Sequence, residues 1–87
     1  MNVVFRRRKY ELVLTDHSQL QMQLRNISLE ILKQVIESGK VKEKDAEGKY
    51  WVYQRVRGRK DNLICAAVSI EKPRLIVITT LINWRPK

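Results

Sequence analysis

From Lys49 to Arg57 the chain alternates, residue by residue, between two kinds of side chain. Successive side chains on a strand point to opposite faces, so this run reads as one amphipathic strand. Tyr50, Val52 and Val56 fall on one face, with Gln54 as the exception. Lys49, Trp51, Tyr53, Arg55 and Arg57 fall on the other, and Gly58-Arg59-Lys60 continues the basic run. One face can pack on a core. The opposite face offers rings that stack on free bases and cations that meet phosphates. The same face also reads as a solvated outer surface.

Two further strands are expected after it. Gly58 to Asn62 makes a turn into Leu63–Ile70, and Lys72-Pro73 makes another into Leu75–Ile82. In the first of these Ile64, Ala66, Val68 and Ile70 share a face. Cys65, Ala67 and Ser69 on the opposite face are small and should leave a shallow open surface. Leu75-Ile76-Val77-Ile78 is apolar on both faces, as a central strand is. A strand near residues 39–44 adds to the sheet, and the charged stretch 42–48 reads as a turn.

The first half reads as helical. Tyr10 to Thr15 reads as a short strand or an extended entry. Asp16 as N-cap puts Gln19 at the third helical position, a capping-box spacing. Leu20 and Leu24 share a face, and the helix should end near Arg25-Asn26, since Asn tolerates the left-handed conformation. Ser28 can cap a second helix with Glu30 in its first turn. Ile31, Leu32, Val35 and Ile36 form its apolar stripe, and Gly39 stops it. The expected architecture is α+β: two N-terminal helices packed on one face of an antiparallel sheet of three to four strands. A chain of 87 residues makes one domain, with a basic N-terminal arm at 1–9, a core at 10–82 and a tail at 83–87.

Charge narrows the partners. The formal net charge is +9, from 18 basic and 9 acidic residues, so polyanions are attracted. Arg6-Arg7-Arg8-Lys9 reads as an arm for phosphate backbones or as a frayed terminus. The apolar runs are too short to span a membrane, and the first residues lack the order of a secretory signal. With a single cysteine, the expectation is a cytoplasmic protein without a membrane partner. Cys65, in an apolar strand, reads as a small buried hydrophobe.

One His and one Cys cannot make the usual zinc spacings, and there is no phosphate-binding glycine loop. No metal or other cofactor is therefore expected. Metal-free RNA cleavage needs a base, an acid and cations that stabilise the phosphorane. His17, Arg25, Tyr53, Arg55, Arg57 and Thr79 supply those types. Histidine is the residue type whose ordinary titration lies near neutrality, and His17 is the single one here; yet it lies close in angle to Leu20 and Leu24 and also reads as a packed histidine. Arg25 also reads as a carbonyl cap, and Thr79 as an ordinary strand former.

The ordered pattern Leu14-Thr15-Asp16-His17, Met22, Arg25-Asn26-Ile27-Ser28 and a helix ending at Gly39 resembles a bacterial family, domain of unknown function 4258. Tyr50-Trp51-Val52 and Ile76-Val77-Ile78-Thr79 match its later strands, so the resemblance covers about residues 10–82. It implies a fold related to the RelE, BrnT and barnase-like toxin ribonucleases, which cleave RNA without metal and are held inactive by a small antitoxin. The family's helix histidine falls on His17, the arginine before its turn on Arg25, and its last-strand threonine on Thr79. Asn26 stands where the family usually has glycine, Gln21 where an arginine is common, and Thr80-Leu81 where an aromatic often follows.

The resemblance implies a toxin-type ribonuclease, or a degenerate relative, with RNA and a small acidic antitoxin as partners. His17, Arg25, Arg55, Arg57 and Thr79 would form the catalytic set, and Trp51, Tyr53, Arg59 and Lys60 would bind the nucleic acid. The alternative is a non-catalytic module that binds RNA or a protein through the same basic-aromatic face.

Overall fold

Strands come first. The computed structural model describes residues 1–44 and 47–86. A hairpin of β1 (Asn2–Phe5) and β2 (Arg8–Leu14) precedes α1 (Asp16–Leu24) and α2 (Leu29–Ser38). Then follow β3 (Lys40–Glu43), β4 (Lys49–Arg55), β5 (Leu63–Glu71) and β6 (Arg74–Trp84). The sheet runs in the order β1-β2-β6-β5-β4-β3 and curls into a half-barrel. Every neighbouring pair is antiparallel except β2 and β6, which are parallel.

These facts overturn the expected three to four antiparallel strands behind two N-terminal helices. Among the described residues the sheet has six strands, is mixed, and begins before the first helix. The missed hairpin starts with Val3 and Phe5, which alternate with exposed Asn2 and Val4 and lie 1% and 2% exposed in the core. Residues 1–9 are thus strand, turn and strand rather than an arm. The turn expected over 42–48 falls partly on Asp45 and Ala46, outside the described residues; Lys42 and Glu43 belong to β3.

Helix α2 forms as its sequence dictates. The Ser28 hydroxyl accepts the Ile31 N–H at 3.1 Å, and Glu30 complements the positive end of the helix. Its stripe buries Leu32, Val35 and Ile36 with Val52, Ile64, Ala66 and Val68 of the sheet. Gly39 ends it in extended backbone rather than a left-handed turn (φ −74°). Glycine is required there by close approach, because a Cβ would lie 2.4 Å from the Val35 carbonyl oxygen and 2.7 Å from that of Tyr53.

Helix α1 is positioned by its ends. Thr15, not Asp16, is its N-cap: the Thr15 hydroxyl accepts from the Ser18 N–H at 3.0 Å. That hydroxyl also donates to the carbonyls of Val77 (3.0 Å) and Ile78 (3.2 Å) on β6. At the other end the Arg25 guanidinium donates to the Thr80 carbonyl. The pairing of β2 with β6 stops at Val77, so α1 takes over the β6 edge where β2 leaves it. The buried side chains of α1 are Ser18 and Met22, whereas Leu20 and Leu24 are 52% and 72% exposed. Asn26 then turns the chain with a positive φ of 55°, as expected of Asn. No described helix is long and apolar enough to cross a membrane.

Candidate nucleic-acid interface

The helices cover one face of the sheet, and the other face carries the basic-aromatic strand. Cross-strand partners share a face. Register therefore puts Lys42, Trp51, Ala67 and Thr79 in one row of the helix-free face, and Lys40, Tyr53, Cys65 and Leu81 in the next. Arg55, Leu63 and Trp84 make a third row. Lys49 lies on the same face beyond Trp51. Among the described residues, β3 and β4 place Lys40, Lys42, Lys49 and Arg55 on this face and no carboxylate.

The rings make a ridge. Trp84 reaches over from β6, with its ring centre 4.9 Å from Tyr53 and 5.5 Å from Trp51. Both pairs are tilted, the geometry that ring quadrupoles favour. The Lys44 ammonium sits 4.2 Å from the centre of the Trp51 ring. Cys65 and Ala67 on the strand between β4 and β6 are fully buried. The shallow open surface expected over those small residues is thus filled, and their smallness is what lets large rings from both sides meet. Burial pushes the Cys65 thiol up to about 12, so it is an inert packing group.

Two clefts flank the ridge. One, of about 200 Å³, is lined by Lys42, Trp51, Trp84 and Arg85. The other, of about 430 Å³, runs past Lys40, Tyr53 and Arg55 to Leu63 and Pro86. Each pairs an aromatic wall with cations, so each can take a flat base while a phosphate meets the rim.

The expected catalytic residues divide into groups. His17 lies exposed in the first turn of α1, not packed. Arg25 ends the same helix about 12 Å farther along its axis and ties it to β6. Thr79 is half-buried on β6, on the helix-free side of the sheet. Arg55 stands on β4, about 10 Å from β6 at two strand spacings, and Arg57 is exposed beyond the end of that strand. Arg59 is committed elsewhere: it pairs with Asp61 at 2.6 Å and donates to the carbonyls of Asn26 (2.7 Å) and Arg25 (2.9 Å). Lys60 is exposed in the β4–β5 turn.

The sequence reading missed Lys40, Lys42, Lys44, Trp84 and Arg85. The period-two pattern of β3 carried the signal for the first two. Trp84 carried none, because parity alone puts it with Thr80 and Ile82 on the core face. Asn83, at a positive φ of 52°, lies in the irregularity that turns the next residue to the opposite face.

No curated protein and no solved structure matches this chain. The family model described as "Domain of unknown function (DUF4258)" matches residues 14–82, from the end of β2 through most of β6. The chain belongs to that family of domains of unknown function.

Proposed function

We propose that this protein binds single-stranded RNA on the helix-free face of β3, β4 and β6. The observation that carries the proposal is the row structure of that face: Trp51, Tyr53 and Trp84 form the ridge, and Lys40, Lys42, Lys49 and Arg55 surround it. Bases enter the flanking clefts against the rings, and the cations hold the phosphates between them. Duplex hides its base faces, so single strands are preferred. Fluorescence anisotropy with a labelled twelve-nucleotide RNA and its duplex tests this. The single strand binds more tightly; equal affinity for both would refute stacking.

A second reading, a metal-independent ribonuclease of the RelE or BrnT toxin type with a small acidic antitoxin, is favoured by the exposure of His17 beside an arginine-anchored helix. In it His17 exchanges the proton while RNA crosses from β4 to the α1 edge of β6. The 2′-hydroxyl oxygen attacks phosphorus, its proton leaves to a base, and the departing 5′-oxygen is protonated. The products are a 2′,3′-cyclic phosphate and a 5′-hydroxyl. Incubation of the same RNA in EDTA tests it: cyclic-phosphate ends support cleavage, and intact RNA leaves binding alone.

A further inference from the structure

Two residues of the basic run at 6–9, Arg6 and Arg8, line a second cleft on the side of the sheet opposite the ridge. β1 and β2 are joined by two residues, Arg6 and Arg7, at φ of 50° and 71°. A two-residue hairpin link with both φ values positive suits Asn-Gly, and a side chain of arginine's kind is strained there. Strain of this sort persists where the surrounding structure needs it, and it clusters at ligand sites.

What the turn delivers is a cation over an aromatic floor. The Arg6 guanidinium lies 5.4 Å from the centre of the Tyr50 ring. Phe5 packs against Tyr50 with ring centres 5.5 Å apart. Around them opens a cleft of about 730 Å³, with Arg6, Arg8 and Lys72 on its rim and Glu47 as a carboxylate beside them. That size is ordinary for a small-molecule site. Tyr50 and Trp51 are neighbours on β4, so the two sites lie on opposite faces of the sheet.

We infer that this cleft binds a nucleoside phosphate, with the phosphate on Arg6, Arg8 and Lys72 and the base against Tyr50. Arginine forks and a lysine ammonium match phosphate oxygens. Glu47 accepts hydrogen bonds from ribose hydroxyls or a base amino group. The ligand is either a free mononucleotide or one nucleotide of an RNA strand. This site is separate from the proposed RNA ridge and does not depend on it.

Isothermal titration with adenosine 5′-monophosphate, an octamer of single-stranded oligoadenylate, adenosine and inorganic phosphate tests the inference. The full nucleotide unit should bind at least about tenfold more tightly than adenosine or phosphate, because it alone makes both sets of contacts. The double variant Arg6→Asn/Arg7→Gly suits the turn, so its Tm should rise by about 4 °C or more while affinity falls at least about tenfold. Arg8→Gln should weaken binding without moving the Tm, and Trp51→Ala should leave monophosphate affinity unchanged. Monophosphate binding with this pattern assigns a free nucleotide. Octamer binding that the monophosphate does not reproduce, and that is lost when Arg6→Asn/Arg7→Gly is added in a Trp51→Ala background, where the ridge is weakened, assigns an RNA strand. A double variant that binds both probes like wild type, or adenosine binding as tightly as its monophosphate, would overturn the inference.

Discussion

The Arg59 guanidinium grips the Asp61 carboxylate at 2.6 Å while two of its other N–H groups reach the carbonyls of Arg25 and Asn26. One side chain thus fastens the β4–β5 turn to the α1–α2 turn. The pair is largely covered, with side chains 17% and 12% exposed. Arg59→Ala leaves two carbonyls and a carboxylate without their donor and should lower stability by about 1–3 kcal/mol in a urea melt.

The same pair sets an acid limit. The hydrogen bond from Arg59 holds the Asp61 carboxyl below its ordinary value. The unfolded chain therefore takes up this proton at a higher pH than the folded one. The stabilisation is full above the ordinary carboxylate range and is lost as pH falls through the lowered folded value. Melts of wild type and Asp61→Asn should differ at pH 6 and converge in acid; a constant difference would contradict the coupling.

Thr80 is fully buried, and its hydroxyl has no hydrogen-bond partner among the described residues. A buried polar group in that position opposes folding. Thr80→Val keeps the shape and removes the hydroxyl, so stability should rise by about 1 kcal/mol. A loss of stability on denaturant titration would show that the hydroxyl is satisfied in solution.

Gly39→Ala should destabilise the domain by about 1–3 kcal/mol, since the new methyl meets backbone oxygens of Val35 and Tyr53 that cannot turn aside. Circular dichroism melts measure it. A variant as stable as wild type would place β4 farther from the α2 terminus than described.

His17 is exposed and α1 is capped by Thr15, so His17→Ala should change stability by no more than about 0.5 kcal/mol. Any loss of RNA processing in that variant is then chemical rather than structural. A large drop in Tm would instead return His17 to a packing role.

How much of this was legible depends on where local pattern and tertiary placement agree. In α2 they agree: the Ser28 cap, the Ile31–Leu32–Val35–Ile36 stripe and the Gly39 end all read directly. β4 and β5 alternate cleanly and read as strands, and their faces come out as the alternation implies. α1 misleads because its two leucines point to solvent while Ser18 and Met22 face inward. That helix is held by end contacts to β6 rather than by an apolar stripe, and those contacts have no local signature. The first hairpin was hidden because Arg6-Arg7 is a poor turn sequence and a run of charge resembles a free arm. The parallel pairing of β2 with β6 joins segments about sixty residues apart, which no local pattern reveals. The aromatic ridge was half legible: Trp51, Tyr53 and Arg55 follow from parity, but Trp84 depends on the irregular backbone at Asn83.

The central claim is that RNA phosphates and bases meet the face of Lys40, Lys42 and Trp51. The most direct test is the salt dependence of single-stranded RNA affinity, measured for wild type, for Lys40→Ala/Lys42→Ala and for Trp51→Ala. Each phosphate contact on a single strand contributes about 0.7 to the slope of log affinity against log salt, so the lysine double variant should be shallower by about 1.4. Trp51→Ala should keep the wild-type slope and lose about 1–3 kcal/mol at every salt concentration. A wild-type affinity that ignores salt, or a lysine variant with the wild-type slope and affinity, would contradict the account.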